Sequence, residues 1–147
     1  MKKANYEYYE PRCIHESSLS PSVHSIIANE LGKDEEALNF FSFATRLDLD
    51  DYNRNTCEGL HMTSIAAAWM NIVYGFLGLK SDRSVISVAP KLPSRWNRYA
   101  VNLCYRNRKI KISVTAQEVR FSLVGEPIEI GVYDKPTLIK DNLVINR

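Results

Sequence analysis

Two short segments of the sequence place hydroxyl and imidazole groups where helices are predicted to begin. Ser17 and Ser18 precede one predicted helix, and His61, Thr63 and Ser64 open another. Hydroxyls, an imidazole and the unbonded N–H groups of a first helical turn are suited to holding an anion. The same residue types also cap ordinary helices, and residue type alone favours that interpretation. A single histidine at a helix start is likewise more typical of a structural residue than of a ligand.

Several carboxylates raise the question of acid and base chemistry. They are Glu16, Asp48, Asp50 and Asp51. Paired carboxylates can act as general acid and base. The three aspartates, however, stand in a run dense in turn-forming residues, which favours a turn with a solvated acidic edge.

The cysteines and the overall composition narrow the class of protein. Cys13, Cys57 and Cys104 are far apart, form no CxxC pair and are odd in number, so they cannot all pair within one chain. This pattern fits a reducing compartment. The N-terminus has two lysines with no apolar run behind them, and no stretch approaches the length of a membrane span. We therefore expect a cytoplasmic protein without membrane contact.

Helical periodicity covers the first half of the chain. Ser20 as the N-cap, Pro21 at the first helical position and Gly32 as a stop predict one amphipathic helix. Asp34 is predicted to cap a second helix that folds back on the first. A third helix is predicted over roughly 60 to 77. It is apolar nearly all round, which is typical of a helix packed on several sides inside a larger body.

After Gly78 the apolar residues alternate with polar ones, as in β-strands. Residues 101–105 and 110–114 predict a hairpin with its turn at Arg106–Arg108. Two further alternating runs and a weak last strand predict a small antiparallel β-sandwich. The net charge changes sign at the same place. Residues 1–78 hold 6 basic and 11 acidic residues, whereas residues 79–147 hold 13 basic and 6 acidic residues.

Four landmarks, in order, carry a family resemblance. The stretch from Tyr9 to Pro21, with its core His-Glu-Ser-Ser-Leu-Ser-Pro, closely resembles a segment near the end of the catalytic barrel in glycoside hydrolase family 65. An Arg-Leu-Asp-Leu-Asp segment at 46–50, a Gly-Leu-His-Met-Thr-Ser segment at 59–64, and Trp69 with the glycines that follow it continue the likeness. Ala67, where relatives usually have glycine, and the loop 81–84, which lacks an Asp-Gly turn, depart from the pattern.

The resemblance implies an α+β fold class. Residues 1–78 would be the C-terminal helices of an incomplete (α/α)₆ catalytic barrel, and residues 79–147 would be a C-terminal β-sandwich domain. The family carries out phosphorolysis of disaccharides with inversion, and the local sequence forms here look most like the members that convert maltose and phosphate to glucose and β-glucose 1-phosphate. Relatives specific for kojibiose, nigerose and trehalose remain open.

By the same resemblance, the two helix-start segments line the phosphate pocket. The expected phosphate-binding residues are Ser17, Ser18, His61 and Thr63. The resemblance implies no metal and no organic cofactor, with inorganic phosphate as the co-substrate.

The family's general acid lies in an earlier part of the barrel and corresponds to nothing in this sequence. We therefore expect no catalytic residue in the chain, and no activity from the chain alone. The expected partners are the disaccharide and phosphate of the complete enzyme, the N-terminal part of the barrel, and a second copy of the protein, because family members are commonly dimers.

Two other functions remain open from the residues. The β-rich half could be a carbohydrate-binding or structural module without catalysis, with Trp96, Tyr99 and Tyr105 as a stacking platform. Its basic residues could instead bind nucleic acid, which predicts a steeply salt-dependent affinity and is the less favoured reading. They are Arg106, Arg108, Lys109 and Lys111.

Overall fold

A computed structural model describes residues 1–81 and 84–147. The chain divides into two compact units, Met1–Gly75 and Phe76–Arg147. The first is helical and the second holds two β-sheets, which confirms the predicted α+β fold class. The domain organisation expected from the sequence, 1–78 and 79–147, stays a prediction.

The helical unit contains four α-helices. They are α1 (Lys2–Tyr9), α2 (Ser20–Glu30), α3 (Asp34–Arg46) and α4 (Met62–Met70), with short 3₁₀ turns at Glu10–Arg12 and Thr56–Glu58. The predicted pairing of α2 with α3 is confirmed. Gly32 ends α2 with a positive φ of 76°, a conformation that costs residues with a Cβ more than it costs glycine.

The helix caps differ from those that the sequence predicted. Leu19 rather than Ser20 precedes α2, and Lys33 rather than Asp34 precedes α3. Neither helix has a side-chain cap hydrogen bond. Asp34 instead lies in the first turn of α3 with two glutamates, where carboxylates interact favourably with the helix dipole.

Helix α4 is shorter than predicted and its apolar surface is exposed. A π-helical segment, Asn71–Phe76, takes over from Met70. Four apolar side chains of α4 are between 41% and 67% exposed. They are Met62, Ile65, Trp69 and Met70. The sequence indicates a helix packed on several sides inside a larger body, and the helical unit alone does not supply that packing.

The larger sheet has four antiparallel strands in the order β2-β3-β4-β7. Its strands are β2 (Arg98–Tyr105), β3 (Arg108–Thr115), β4 (Glu118–Val124) and β7 (Asn142–Asn146). The predicted hairpin is confirmed, with Tyr105 paired to Arg108 across a two-residue turn. Both turn residues, Arg106 and Asn107, have positive φ, as a tight hairpin that matches the strand twist requires.

The smaller sheet has three strands in the order β1-β5-β6. They are β1 (Ser87–Val88), β5 (Ile128–Val132) and β6 (Lys135–Ile139). β1 runs parallel to β5, whereas β6 is antiparallel to it. The loop singled out at 81–84 includes Asp82 and Arg83, which lie outside the described residues.

One face of each sheet is buried. Alternate residues of β3, β4 and β5 are almost fully inaccessible, including Ile112, Phe121 and Ile130 at 0% exposure. This alternation produces the sandwich core that the period-two pattern predicted. None of the helices formed by the described residues combines the length and the apolar character that a membrane crossing needs.

Candidate functional site

Ser17 and Ser18 lie in the bend that leads into α2. The Ser17 hydroxyl accepts a hydrogen bond from the Leu19 N–H at 3.4 Å, and the Ser17 carbonyl accepts one from the Ser20 N–H at 3.2 Å. Ser18 is partly exposed, and its hydroxyl has no hydrogen-bond partner among residues 1–81 and 84–147. The chain thus holds both serines before the helix and leaves the Ser18 hydroxyl available.

His61 immediately precedes α4, and Asp48 holds it there. Asp48 lies in the turn after α3, and its two carboxylate oxygens both contact His61. Oδ1 is 2.5 Å from the ring Nδ1, and Oδ2 accepts a hydrogen bond from the main-chain N–H at 2.9 Å. The Asp48 side chain is only 12% exposed. For Asp48, the prediction of a solvated acidic edge is therefore wrong.

The contact with His61 also changes the acidity of Asp48. The hydrogen bond from His61 lowers the pKa of Asp48 below its ordinary value, because it favours the ionised carboxylate and outweighs partial burial. The two neighbouring carboxylates have other roles. Asp50 is exposed and pairs with Arg46, and Asp51 binds the main chain and hydroxyl of Thr56.

Thr63 and Ser64 lie in the first turn of α4. Thr63 is exposed, and its hydroxyl has no partner in the part of the chain that the structure describes. Ser64 is 1% exposed, and its buried hydroxyl has no hydrogen-bond partner within residues 1–81 and 84–147. No side chain caps α4 in the described helical unit, and the Met62 N–H donates to the Leu60 carbonyl at 2.9 Å. The next N–H groups, those of Thr63 and Ser64, are the ones that can donate to an anion.

The helices that follow the two predicted segments are in contact, but the four predicted residues form no bonded cluster. Helices α2 and α4 contact each other. Among the described residues, none of Ser17, Ser18, His61 and Thr63 forms a hydrogen bond with another of the four. The groups are hydroxyls, an imidazole and main-chain N–H groups, which can bind an anion by donating hydrogen bonds.

A separate cluster holds the only other histidines of the chain. Potential ligand atoms of Cys13, His15 and His24 lie within 4.8 Å of one another. The rings of His15 and His24 also pack edge to face and contact Phe40. His15 Nδ1 already contacts the Ser20 hydroxyl at 2.8 Å. A tetrahedral zinc site needs ligand atoms roughly 3.3–3.8 Å apart, so these side chains would have to close together around a metal.

Burial affects the acidity of one histidine in that cluster. Burial, followed by the neighbouring His15, lowers the pKa of His24 below its ordinary value. Among the described residues, neither His24 Nδ1 nor His15 Nε2, both buried, has a hydrogen-bond partner, although His15 Nε2 lies 3.6 Å from a Glu10 carboxylate oxygen. Sequence spacing gave no signal for this cluster, because it depends on a residue with positive φ, His15 at 57°, that turns the chain back toward α2.

In the β unit, two of the three aromatic residues proposed for stacking are engaged in packing, whereas Tyr105 contacts the Arg106 guanidinium. Trp96 meets Phe76 and Tyr99 at interplanar angles of 65° and 72°, so the rings do not form one flat face. The Tyr99 hydroxyl donates to the Phe76 carbonyl at 2.9 Å, and burial raises its pKa. These contacts favour a structural role for Trp96 and Tyr99.

Part of the basic group of the β unit is also tied to the main chain. Arg106 donates to the Ser84 carbonyl at 2.8 Å, and Arg108 donates to the Glu126 carbonyl at 2.8 Å. Guanidinium groups that hold loops in this way are less available to phosphate backbones. The nucleic-acid alternative therefore gains no support from their geometry.

Known proteins resemble the chain along nearly its whole length. It is 47% identical over 140 residues to maltose phosphorylase of Bacillus subtilis (strain 168), and 44% identical over 139 residues to alpha,alpha-trehalose phosphorylase of Thermoanaerobacter brockii. Those alignments cover 95% and 94% of this chain but 18% of each relative. A solved structure from the human microbiome, named as a kojibiose phosphorylase, matches with a TM-score of 0.94 and 51% identity over 99% of this chain and 22% of its own.

The chain therefore spans about a fifth of the length of the relatives it matches. Family models agree with the division into helical and β-rich parts. The model of the glycosyl hydrolase family 65 central catalytic domain matches residues 1–70, and that of the family's C-terminal domain matches residues 79–139. Since both models match in chain order and the relatives align across both, the chain belongs to glycoside hydrolase family 65.

Proposed function

We propose that this chain is the C-terminal part of a family 65 disaccharide phosphorylase, acting on maltose, and that it supplies part of the phosphate pocket. Its contributions are Ser17, Ser18, His61 and Thr63. The observation that carries the proposal is the position of His61. Asp48 holds this histidine at the start of α4, which has no side-chain cap, close in sequence to the exposed hydroxyl of Thr63. Such a group of donors suits a phosphate dianion.

The chemistry of inverting phosphorolysis explains why such donors are needed. A carboxylic acid protonates the glycosidic oxygen as its bond to the anomeric carbon breaks, and phosphate attacks from the opposite face, where an inverting hydrolase activates water. Phosphate is already an anion, so this attack needs no strong base. The pocket must instead hold the phosphate beside an electron-poor sugar ring, which hydroxyl and imidazole donors can do.

The general acid and most of the sugar-binding surface would come from the remainder of the catalytic domain. Two observations support this. The chain corresponds to about 18% of the maltose phosphorylase it resembles, and α4 presents an apolar surface that its own unit leaves exposed. We further propose that the complete enzyme is cytoplasmic. Its ligands would be a disaccharide and phosphate, and a second copy of the protein would be a further partner.

An activity assay of the isolated chain tests the proposal that it lacks the general acid. Incubated with maltose and phosphate, the purified chain should release no glucose 1-phosphate, because no group protonates the leaving oxygen. Turnover that follows the concentration of the chain and withstands further purification would contradict this expectation.

A chimera tests the phosphate pocket. This chain replaces the aligned segment of the B. subtilis maltose phosphorylase, to which it is 47% identical. In the chimera, Ser18→Ala, His61→Ala and Thr63→Val should each raise the KM for phosphate about tenfold, the loss expected for one hydrogen bond to a charged group. The KM for maltose should change less than twofold.

Thr45→Val provides the matched control, because this exposed hydroxyl bonds only to carbonyls of its own helix α3. It should leave both KM values unchanged. An active chimera whose phosphate KM is insensitive to all three pocket substitutions would overturn the proposed function.

A further inference from the structure

Both carboxylate oxygens of Asp48 contact the same residue, His61. Oδ1 contacts the His61 ring and Oδ2 accepts the main-chain N–H of the same residue. The ring therefore cannot turn about its side-chain bonds without breaking one contact while the other still fixes the backbone. This is a tighter restraint than a single hydrogen bond would give.

The turn that carries Asp48 is itself fixed by main-chain hydrogen bonds. The Tyr52 N–H donates to the Leu47 carbonyl at 3.0 Å, and the Asp51 N–H donates to the Asp48 carbonyl at 3.3 Å. Leu47 is 3% exposed and anchors the turn in the core of the helical unit. Asp48 thus holds His61 from a backbone position that is well fixed.

The contact also sets which ring nitrogen carries the proton. An ionised carboxylate only accepts hydrogen bonds, so Nδ1 of His61 must be the N–H nitrogen of the pair. The other nitrogen, Nε2, has no partner within the described ranges of the chain. In the neutral ring Nε2 can accept the hydrogen of a P–OH group, and in the imidazolium it can donate to a phosphate oxygen.

We propose that Asp48 is a positioning residue that fixes the tautomer and orientation of His61 so that Nε2 faces phosphate. The inference rests on the proposed role of His61 in the phosphate pocket. A carboxylate that orients a histidine in this way resembles the outer partners of metal-binding histidines, which fix the tautomer of the ligand they support. Asp48 itself does not contact phosphate.

Histidine ¹⁵N NMR of the isolated chain measures the tautomer directly. The sequence has three histidines, so His61→Gln assigns the His61 signals. Neutral His61 should be the Nδ1–H form in the unsubstituted chain. Asp48→Ala should convert it to the Nε2–H form that an unrestrained imidazole prefers.

Two further variants serve as controls for the NMR measurement. Asp48→Asn keeps one acceptor oxygen and should retain a larger share of the Nδ1–H form than Asp48→Ala. Asp50→Ala removes a neighbouring exposed carboxylate that pairs with Arg46, and it should leave the tautomer unchanged. An Nε2–H ring in the unsubstituted chain, or a tautomer that Asp48→Ala and Asp48→Asn both leave unaltered, would overturn the proposal.

Phosphate kinetics in the B. subtilis chimera separate this inference from the function on which it rests. Asp48→Ala should raise the KM for phosphate about tenfold, a typical loss for an outer partner of a functional histidine, and Asp50→Ala should not. If His61→Ala has no effect on this KM, the proposed pocket fails. If His61→Ala raises it and Asp48→Ala does not, the pocket stands and the positioning role fails.

Discussion

Glu36 links three parts of the helical unit through one carboxylate. The Tyr6 hydroxyl of α1 donates to its Oε1 at 2.7 Å, and the Lys33 ammonium donates to its Oε2 at 2.9 Å. Partial burial alone would raise the pKa of Glu36, but these two hydrogen bonds outweigh it and lower the pKa. The network ties α1 to the start of α3.

The pKa of Glu36 gives the link to Tyr6 a predictable pH dependence. Because the pKa is lower in the folded chain than its ordinary value of 4.5, the stabilisation is present above that value and is lost as pH falls through the folded pKa. Tyr6→Phe should lower the free energy of unfolding by about 1–2 kcal/mol at pH 7, as for a hydrogen bond to a charged group. Near pH 3 the loss should be smaller.

Urea unfolding followed by the far-ultraviolet helical signal measures both values. Tyr8→Phe is the matched control, because Tyr8 is 56% exposed, and it should change stability little at either pH. A Tyr6→Phe loss of equal size at pH 7 and pH 3 would show that the charge on Glu36 is not involved.

The sequence indicated the hydrogen-bond donors of the proposed phosphate pocket, but it did not indicate which residue fixes the position of His61. Ser17, Ser18, His61 and Thr63 could be named because their segments resemble a family's motifs, and their role stays a prediction. The pairing of Asp48 with His61 spans 13 residues and depends on how the irregular segment 47–60 folds. Local patterns carry no such information, and for that reason the run of turn-forming residues predicts a solvated edge at Asp48.

Among the elements, β5 shows a close approach that glycine alone permits. Gly131 pairs with Ser87 of β1, and a Cβ at Gly131 would lie 2.6 Å from the Ser87 Cβ. That distance is far shorter than any normal contact between carbon atoms. The parallel pairing of β1 with β5 therefore depends on the missing side chain.

Gly131→Ala should consequently destabilise the β unit by about 1–3 kcal/mol, the usual cost of overpacking. Amide hydrogen exchange should report the change at the Gly131 N–H, which donates to the Ile86 carbonyl at 2.9 Å. Adding Ser87→Gly should recover part of the loss, since it removes the clashing atom. If the double variant is no more stable than Gly131→Ala, the contact with Ser87 is not the cause.

Helices and strands whose apolar residues recur at a regular spacing were predictable from the sequence. Elements that depend on tertiary contacts were not. The β2–β3 hairpin followed from alternation and a short polar turn. α1 was missed because its sequence is rich in tyrosine and charge with little apolar stripe, and Tyr6 alone is buried. β6 was obscured by Pro136, which is tolerated because the strand lies at a sheet edge.

For the whole molecule, the exposed surface of α4 is the feature most relevant to how the chain works. Ile65 and Trp69 are four residues apart on one helical face and are 48% and 58% exposed. Scattered apolar residues on a surface are ordinary, but a contiguous set along one helix marks a contact surface. In the proposed function this face packs against the rest of the catalytic domain.

Replacing Ile65 and Trp69 with glutamate should therefore separate folding from assembly. In the isolated chain both side chains are largely exposed, so the double variant should change the free energy of unfolding by only about 0.5 kcal/mol, as for ordinary surface positions. In the B. subtilis chimera the same charges would be buried without partners, which costs several kcal/mol, and soluble active enzyme should be lost. Val124→Glu, at a site 69% exposed in the β unit, is the control and should spare the chimera.

Trp69 can also report the contact directly. The chain has two tryptophans, so Trp96→Phe leaves Trp69 as its single indole. Acrylamide should quench Trp69 fluorescence strongly in the isolated chain, because the indole is exposed there, and several-fold less in a chimera whose own other tryptophans are replaced. Equal quenching in both proteins would mean that the α4 face stays in water even in a complete barrel. That result would contradict the proposed packing of this face against the catalytic domain.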